Sequence, residues 1–478
     1  MLCFKPVGPQ RPLQALVLVM CAMTVNVITA QTEMTGLSSR SFWKNQPSLE
    51  DVVAQVNFGD DPAALDPHDF DPLSWALIEE ASPEVLAYLL EFDGNSVNKL
   101  THDARTYVFW AAYRNNQAFM EKLKSMGADF GIVDEHGYSL LNFAAVTGQT
   151  APDLYELIIR EGAKPDQELN NDGAHALLLV SSHLEDMRLV DYFGQFGLEM
   201  NDADFDGSNG FLYACKGGNV GFLNLLLENG LSVETKSRKG QNAAHFAAMG
   251  TRGKSIQTDV FEFLASKGVK LNQGDEDGTT PLMLLCQGRR DNLETLKFLI
   301  NESKDLHQSD TNGQTAMHHA LENGSVRCVE ALMNSGWNME GAGYKSQSLI
   351  HALSMGYSSQ NHDAFDDKLT LLRSAGISAK QLLPDGETWF HLGARSQSMD
   401  MLKFSAILGL DVNQIDGDGF TALHEACMTA KDIELLKWLV SIGASTEVLT
   451  FFEETPYDLA IENEQLIEED LQFLKSSP

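Results

Sequence analysis

Gly419-Phe-Thr-Ala-Leu-His424-Glu-Ala-Cys427 and Gly313-Gln-Thr-Ala-Met-His318-His-Ala320 are two copies of one pattern. A glycine leads into a threonine, then small apolar residues, with a histidine five places after the glycine. Gly278-Thr-Thr-Pro-Leu282 and Gly240-Gln-Asn-Ala-Ala-His245-Phe-Ala-Ala248 repeat it closely. Working outward, the leading glycine or a stand-in recurs as Gly137, Gly173, Gly207, Gly240, Gly278, Gly313, Ser346, Gly386 and Gly419, in steps of 33 to 40 residues. After each comes a short polar break, a Leu-rich segment such as Phe222–Leu227 or Ile433–Ile442, and another glycine. A fixed period of this length marks a stacked repeat architecture.

The residue types explain the stacking. Ala and Gly keep the first segment thin, so neighbouring units approach closely. Leu, Val and Ile at helical spacing give the second segment one apolar face. A single unit cannot bury that face alone, so stacking supplies the core. The glycine after the second segment suits a left-handed helix C-cap, and the D-x-D-G stretches suit a hairpin turn. The copies resemble the ankyrin T-P-L-H-x-A motif at its period of about 33 residues. The resemblance covers roughly residues 47–475. It implies an all-α ankyrin-repeat solenoid of paired antiparallel helices with hairpin fingers, and about twelve units including degenerate ends.

The degenerate units lie at the ends. Asp71-Pro-Leu-Ser-Trp75-Ala through Leu90 reads as one, and Thr106 through Ala128 as the next. Ser48 to Phe58 reads as a lone capping helix, and residues 31–46 as an extension without repeat signal. Thr455-Pro-Tyr-Asp-Leu-Ala460 starts a last unit, whose second helix is expected over Gln465–Leu474 with Glu468, Glu469 and Asp470 toward solvent. Insertions at 251–258 and 357–366 are expected to form loops on one face.

Charge and leader bear on setting. Asp and Glu number 67 against 34 Lys and Arg, a net −33, which argues against nucleic acid and favours a partner with a basic surface. Residues 1–30 read as a signal peptide: Lys5 and Arg11 precede an apolar run from Leu13 to Val27, and Ala30 offers a cleavage point. The run is short of the roughly 20 residues a span needs. Export to the periplasm or the extracellular space is therefore expected, with no membrane span in the mature chain.

The repeat register absorbs most residues that suggest chemistry. His245, His318, His351, His391 and His424 all hold the motif position, and the resemblance implies a local hydrogen bond to Thr315, Thr388, Thr421 or their counterparts Asn242 and Ser348. Cys215, Cys286 and Cys427 each fall eight residues after their glycine, in non-adjacent repeats, too far apart to pair with one another. Cys328 lies in the second segment of the repeat after Cys286. That pair is within reach, but all four read as small buried apolar residues. Asp204-Phe-Asp-Gly207, Asp275-Glu-Asp-Gly278 and Asp416-Gly-Asp-Gly419 look like the start of calcium loops and lack the remaining ligands. Their Asp residues are expected to accept turn N–H bonds. No zinc, P-loop, Rossmann or nucleophile-elbow spacing occurs. Neither a cofactor nor a metal is implied, and no catalytic residue is assigned.

The expected function is therefore a non-catalytic protein-binding scaffold of the cell envelope or extracellular space. As the resemblance implies, it would bind through a concave surface of finger tips and first helices. The candidate protein-binding residues are Glu135, Phe205, Asp206, Arg238, Lys239, Glu276, Asp277, Asn312, Lys345, Asp385 and Asp418. The alternative is an accessory or effector protein whose site is built by the insertion loops 251–258 and 357–366.

Overall fold

Each repeat is set locally by how its first helix begins. Thr421 has extended backbone (φ −96°), and its side chain accepts the N–H of His424 while the His424 side chain reaches back to the Thr421 backbone. Thr388 with His391 and Asn242 with His245 form the same reciprocal cap, satisfying two helix-end donors at once. Proline stands in the first turn of Pro72–Ile78, Pro281–Gln287 and Pro456–Glu462, where its missing N–H costs nothing.

The computed structural model describes residues 36–475, except 255, 289–291, 338–345, 381 and 468. The signal peptide assigned to 1–30 and the candidate Lys345 lie outside the described residues. The chain divides into two compact units, Met1–Ala176 and Leu177–Pro478. Among the described residues, extended pairing is confined to isolated bridges such as Val133 with Ser139 and Ser309 with Thr315, one at the base of a finger in each case.

In the first unit the helix pairs are Pro72–Ile78 with Pro83–Leu90, Tyr107–Tyr113 with Gln117–Ser125, and Leu140–Val146 with Pro152–Arg160. The segments 71–90 and 106–128, degenerate in sequence, thus each hold both helices. In place of a motif histidine they carry a buried polar network. Fully buried Asp71 caps its helix, accepts from Tyr107 Oη at 2.6 Å and pairs with Lys99 Nζ at 2.7 Å. Ahead of the pairs stand Leu49–Phe58 and a short helix, Arg40–Lys44, whose Trp43 is fully buried and donates to Leu37 O at 2.8 Å. The described part of the stretch before residue 47 is therefore packed against the array.

The second unit continues the alternation. Its first helices include Gly210–Gly217, Ala243–Met249, Pro281–Gln287, Ala316–Glu322, Trp389–Arg395 and Ala422–Thr429. Residues 243 to 248 are all buried, as a thin helix sandwiched between neighbours must be. Glycine permits the closest approaches. A Cβ on Gly217 would lie 1.9 Å from Ser182 O, and one on Gly356 1.9 Å from Glu322 O, so these two positions exclude any side chain.

Two expectations about this unit need correction. Residues 357–366 are not a free loop. Ser359–Asn361 makes a 3-10 turn, and 362–366 is the opening of the 13-residue helix His362–Ser374. Phe365 is buried and meets Trp389 edge-on, with ring centroids 5.4 Å apart, which draws the insertion onto the next repeat. Gln465–Leu474 is not one helix but two 3-10 turns, Glu464–Leu466 and Gln472–Leu474. Leu466, Leu471 and Leu474 are the buried residues there. Glu469 and Asp470 are exposed, as expected, and Glu468 lies outside the described residues.

Candidate binding surface

The fingers are built on one side-chain device. Asp134 Oδ1 accepts from His136 N at 3.0 Å and Tyr138 N at 2.9 Å. Asp204, Asp275, Asp310 and Asp416 repeat this with the residues two and four places on. The first aspartate of each D-x-D-G stretch is thus consumed in turn formation, as expected. The fourth residue of each turn has positive φ, for example 79° at Gly207 and 85° at Gly419. The second and third residues are left at the tip.

Backbone bonds join successive tips within each unit. In the first, His102 N donates to Asp69 O and Glu135 N to Asp103 O, at 2.8 and 3.1 Å. In the second, Arg238 N donates to Asp206 O, Glu276 N to Lys239 O and Thr311 N to Asp277 O. These bonds commit part of the tip main chain. Glu135, Phe205, Arg238, Lys239, Glu276, Asp277, Asn312, Asp385 and Asp418 are all exposed, and Asp206 is half-buried. Arg238 is less free than its sequence position suggests, since its guanidinium donates to Phe205 O at 2.6 Å.

The tip device also places residues that the glycine series passed over. In the last finger Thr450 Oγ1 takes the aspartate's role toward Phe452 N and Glu454 N, and Glu453 (φ 66°) stands in the glycine's place. This puts Phe451 and Phe452 at the tip, 67% and 75% exposed. Asp69 and Ala104 replace the glycine in two early fingers, with φ of 60° and 56°. Their tips carry His68, His102 and Asp103. Asp103 is shared there by His102, His136 and Arg105, the last at 2.8 Å.

The motif histidines are structural links. Nδ1 lies 2.8 Å from Asn242 Oδ1 in His245, and 2.9, 3.0 and 2.9 Å from the threonine Oγ1 in His318, His391 and His424. The capping residue's N–H donates to the same Nδ1 of His318, His391 and His424 at 3.0 to 3.1 Å. Nδ1 is therefore the acceptor, and the proton belongs on Nε2. In His391 and His424, Nε2 then donates to Phe420 O and Val448 O of the next finger, and His245 Nε2 lies 3.0 Å from Thr279 O. Burial pushes all four rings below the usual histidine range, His318 to about 4. His318 and His319 face different partners, His319 turning to Gln287 and Asp310. For His351, the Ser348 side chain lies outside the described residues.

Three further groupings stand out. The four described cysteines are buried and none is in a disulfide, and Cys286 Sγ and Cys328 Sγ lie 2.8 Å apart. Glu387, Asp416 and Glu425 place carboxylate oxygens within 4.8 Å of one another. Arg395 pairs with Glu387 at 2.6 Å and Glu425 at 3.5 Å, which balances part of their charge, while burial raises the Glu425 carboxyl. Finally, a cleft of about 410 Å³ is lined by Met249, Arg252, Lys254, Ile256, Leu284 and Leu285 among others. One of the two insertions, 251–258, thus borders a concavity, whereas the other packs onto the next repeat.

Comparison with known proteins agrees with this geometry. Family models for ankyrin repeats match residues 252–340, 282–366 and 390–440. The chain is an ankyrin-repeat protein. It is 29% identical over 234 residues to transient receptor potential cation channel subfamily A member 1 of Homo sapiens, covering 48% of this chain and 20% of that one. Target of rapamycin complex 2 subunit AVO2 of Saccharomyces cerevisiae is 32% identical over 101 residues, 21% of this chain and 22% of that protein. Ankyrin repeat protein nuc-2 of Neurospora crassa is 26% identical over 265 residues, 54% and 23% respectively. The matched segments span about a fifth of these relatives. Among the described residues no helix is long and apolar enough to cross a membrane.

Proposed function

We propose that this protein is a non-catalytic scaffold that binds a protein partner through its finger tips. The observation that carries the reading is the tip construction. The turn N–H groups are taken up within each finger, and between 206 and 311 also by tip-to-tip bonds, while acidic side chains and Phe205, Phe451 and Phe452 are exposed. Aromatic anchors with a charged surround are the usual composition of a protein-binding hot spot. Glu276, Asp277, Asp385 and Asp418 favour a partner with a basic surface, and Arg238 and Lys239 supply a local reversal that fixes register. The relative named as a complex subunit supports an assembly role by analogy. The acidic balance opposes nucleic acid. The leader-like residues 1–30 support an exported protein working at the cell envelope or outside the cell.

The test is capture of partners by the wild-type chain and by a variant carrying D277K, D418K, F451S and F452S. A stoichiometric partner retained by the wild type and lost by the variant supports the reading. Equal capture by both overturns it.

A second reading rests on the cleft beside residues 251–258, whose apolar floor and basic Arg252 and Lys254 suit a small anionic effector or a segment of a partner enzyme. A ligand-induced rise in melting temperature abolished by R252E, with tip variants unaffected, would favour it.

A further inference from the structure

Two of the buried thiols have a relation the others lack. Cys286 sits near the end of the first helix Pro281–Gln287, and Cys328 in the first turn of the following repeat's second helix, Val326–Asn334. Both are essentially inaccessible, at 0% and 1% exposure. Their sulfurs are 2.8 Å apart. Non-bonded heavy atoms settle at roughly 3.5–4.0 Å, and a disulfide bond measures about 2.05 Å. The pair is therefore well inside ordinary contact.

The backbone explains the approach. Gly324 precedes the second helix, and a Cβ there would fall 2.3 Å from Cys286 O. Only glycine lets this turn rest on the carbonyl of Cys286. Ser325 then caps the helix by accepting Cys328 N at 3.1 Å, which fixes the direction of the first turn toward the neighbouring repeat. The third helical residue is Phe222, Val260 and Met401 in other repeats, each buried. Cys215 and Cys427 hold the Cys286 place in their own repeats, and both are free thiols. The 286–328 position is the one among the described residues where thiols meet across the repeat interface.

We propose that Cys286 and Cys328 form an inter-repeat disulfide when the chain folds in the presence of a disulfide oxidant. One thiolate attacks the oxidant's sulfur and expels the first thiol, giving a mixed disulfide. The other thiolate then attacks the protein sulfur and expels the second thiol. The protein loses two hydrogens, and one oxidant disulfide becomes two thiols. Burial confines this reaction to the folding chain. Once formed, the bond is shielded from reductants, and a chain folded reduced resists later oxidation. The inference does not depend on the binding reading.

The experiment is to refold the full chain with glutathione disulfide or with reduced dithiothreitol. The product is then denatured, its free thiols alkylated, and each cysteine mapped by peptide mass spectrometry. The expected result with glutathione disulfide is a linked peptide pair containing Cys286 and Cys328, with Cys215 and Cys427 alkylated. C215S/C427S should form the same link. Alkylation of both Cys286 and Cys328 after oxidative refolding, or their pairing with other cysteines, overturns the proposal. Circular dichroism of both preparations confirms that the comparison is between folded chains.

Discussion

Acid should act on His318 through a bond that only the neutral ring can make. Thr315 N–H donates to its Nδ1 at 3.1 Å, and Thr315 Oγ1 lies 2.9 Å from the same nitrogen. Burial, with His319 beside it, pushes the ring down to about 4, while Asp310 acts weakly the other way. An unfolded histidine titrates near 6.5. Above that pH both states are neutral and His318 contributes no pH dependence. Between about 6.5 and about 4 the unfolded chain binds a proton that the folded chain does not, so stability falls as pH falls. At pH 5 the loss assignable to His318 is about 2 kcal/mol. His245, His391 and His424 are lowered by burial too and add with the same sign. The assay is long-range proton–nitrogen NMR of histidine-labelled protein, with His318→Asn identifying the resonance. The expected spectrum shows the Nε2–H tautomer, still neutral at pH 5. In urea unfolding, the wild type should lose about 2 kcal/mol more than H318N between pH 7 and pH 5. A ring that titrates near 6.5, or carries its proton on Nδ1, would refute the assignment.

Other outcomes follow from packing. Gly217→Ala forces a methyl against Ser182 O and should cost about 3 kcal/mol in urea unfolding, whereas Gly230→Ala, with open space but φ of 89°, should cost about 1. Lys99→Met strands the fully buried Asp71 carboxylate and should cost roughly 3 kcal/mol, read by the same assay. If the disulfide forms across its 42-residue separation, the oxidised chain should exceed the reduced one in stability by about 4 kcal/mol.

The repeat was legible wherever its physical devices kept their usual residues. The glycine series marks the fingers because their fourth position needs positive φ, as at Gly207 and Gly419. Where Asp69, Ala104 or Glu453 adopts that conformation instead, the series breaks. That is why the tips at His68, His102 and Phe451–Phe452 escaped notice. The hydrogen-bonded loop survives there because a side chain such as Thr450 still collects the turn N–H groups. The histidine register was readable from spacing, and the local hydrogen bond from the resemblance. The carry-through of Nε2 to the next finger was not, because it joins residues 24 to 34 apart. The 357–366 insertion read as a loop because insertions in a solenoid fall on loops, but its buried Phe365 packs on Trp389 of the next repeat within a helix. Cys286 and Cys328 were within reach in the sequence but read as core residues, because their close approach depends on Gly324, whose role is set by the neighbouring repeat's carbonyl.

The central claim is that the finger tips form the binding surface. Hydrogen exchange of the chain, free and saturated with a captured partner, tests it most directly. The account predicts new protection concentrated at the tips around 205–206, 276–277, 418 and 451–452. Protection centred instead on the 250–256 cleft, or on the second helices with the tips unchanged, would contradict it.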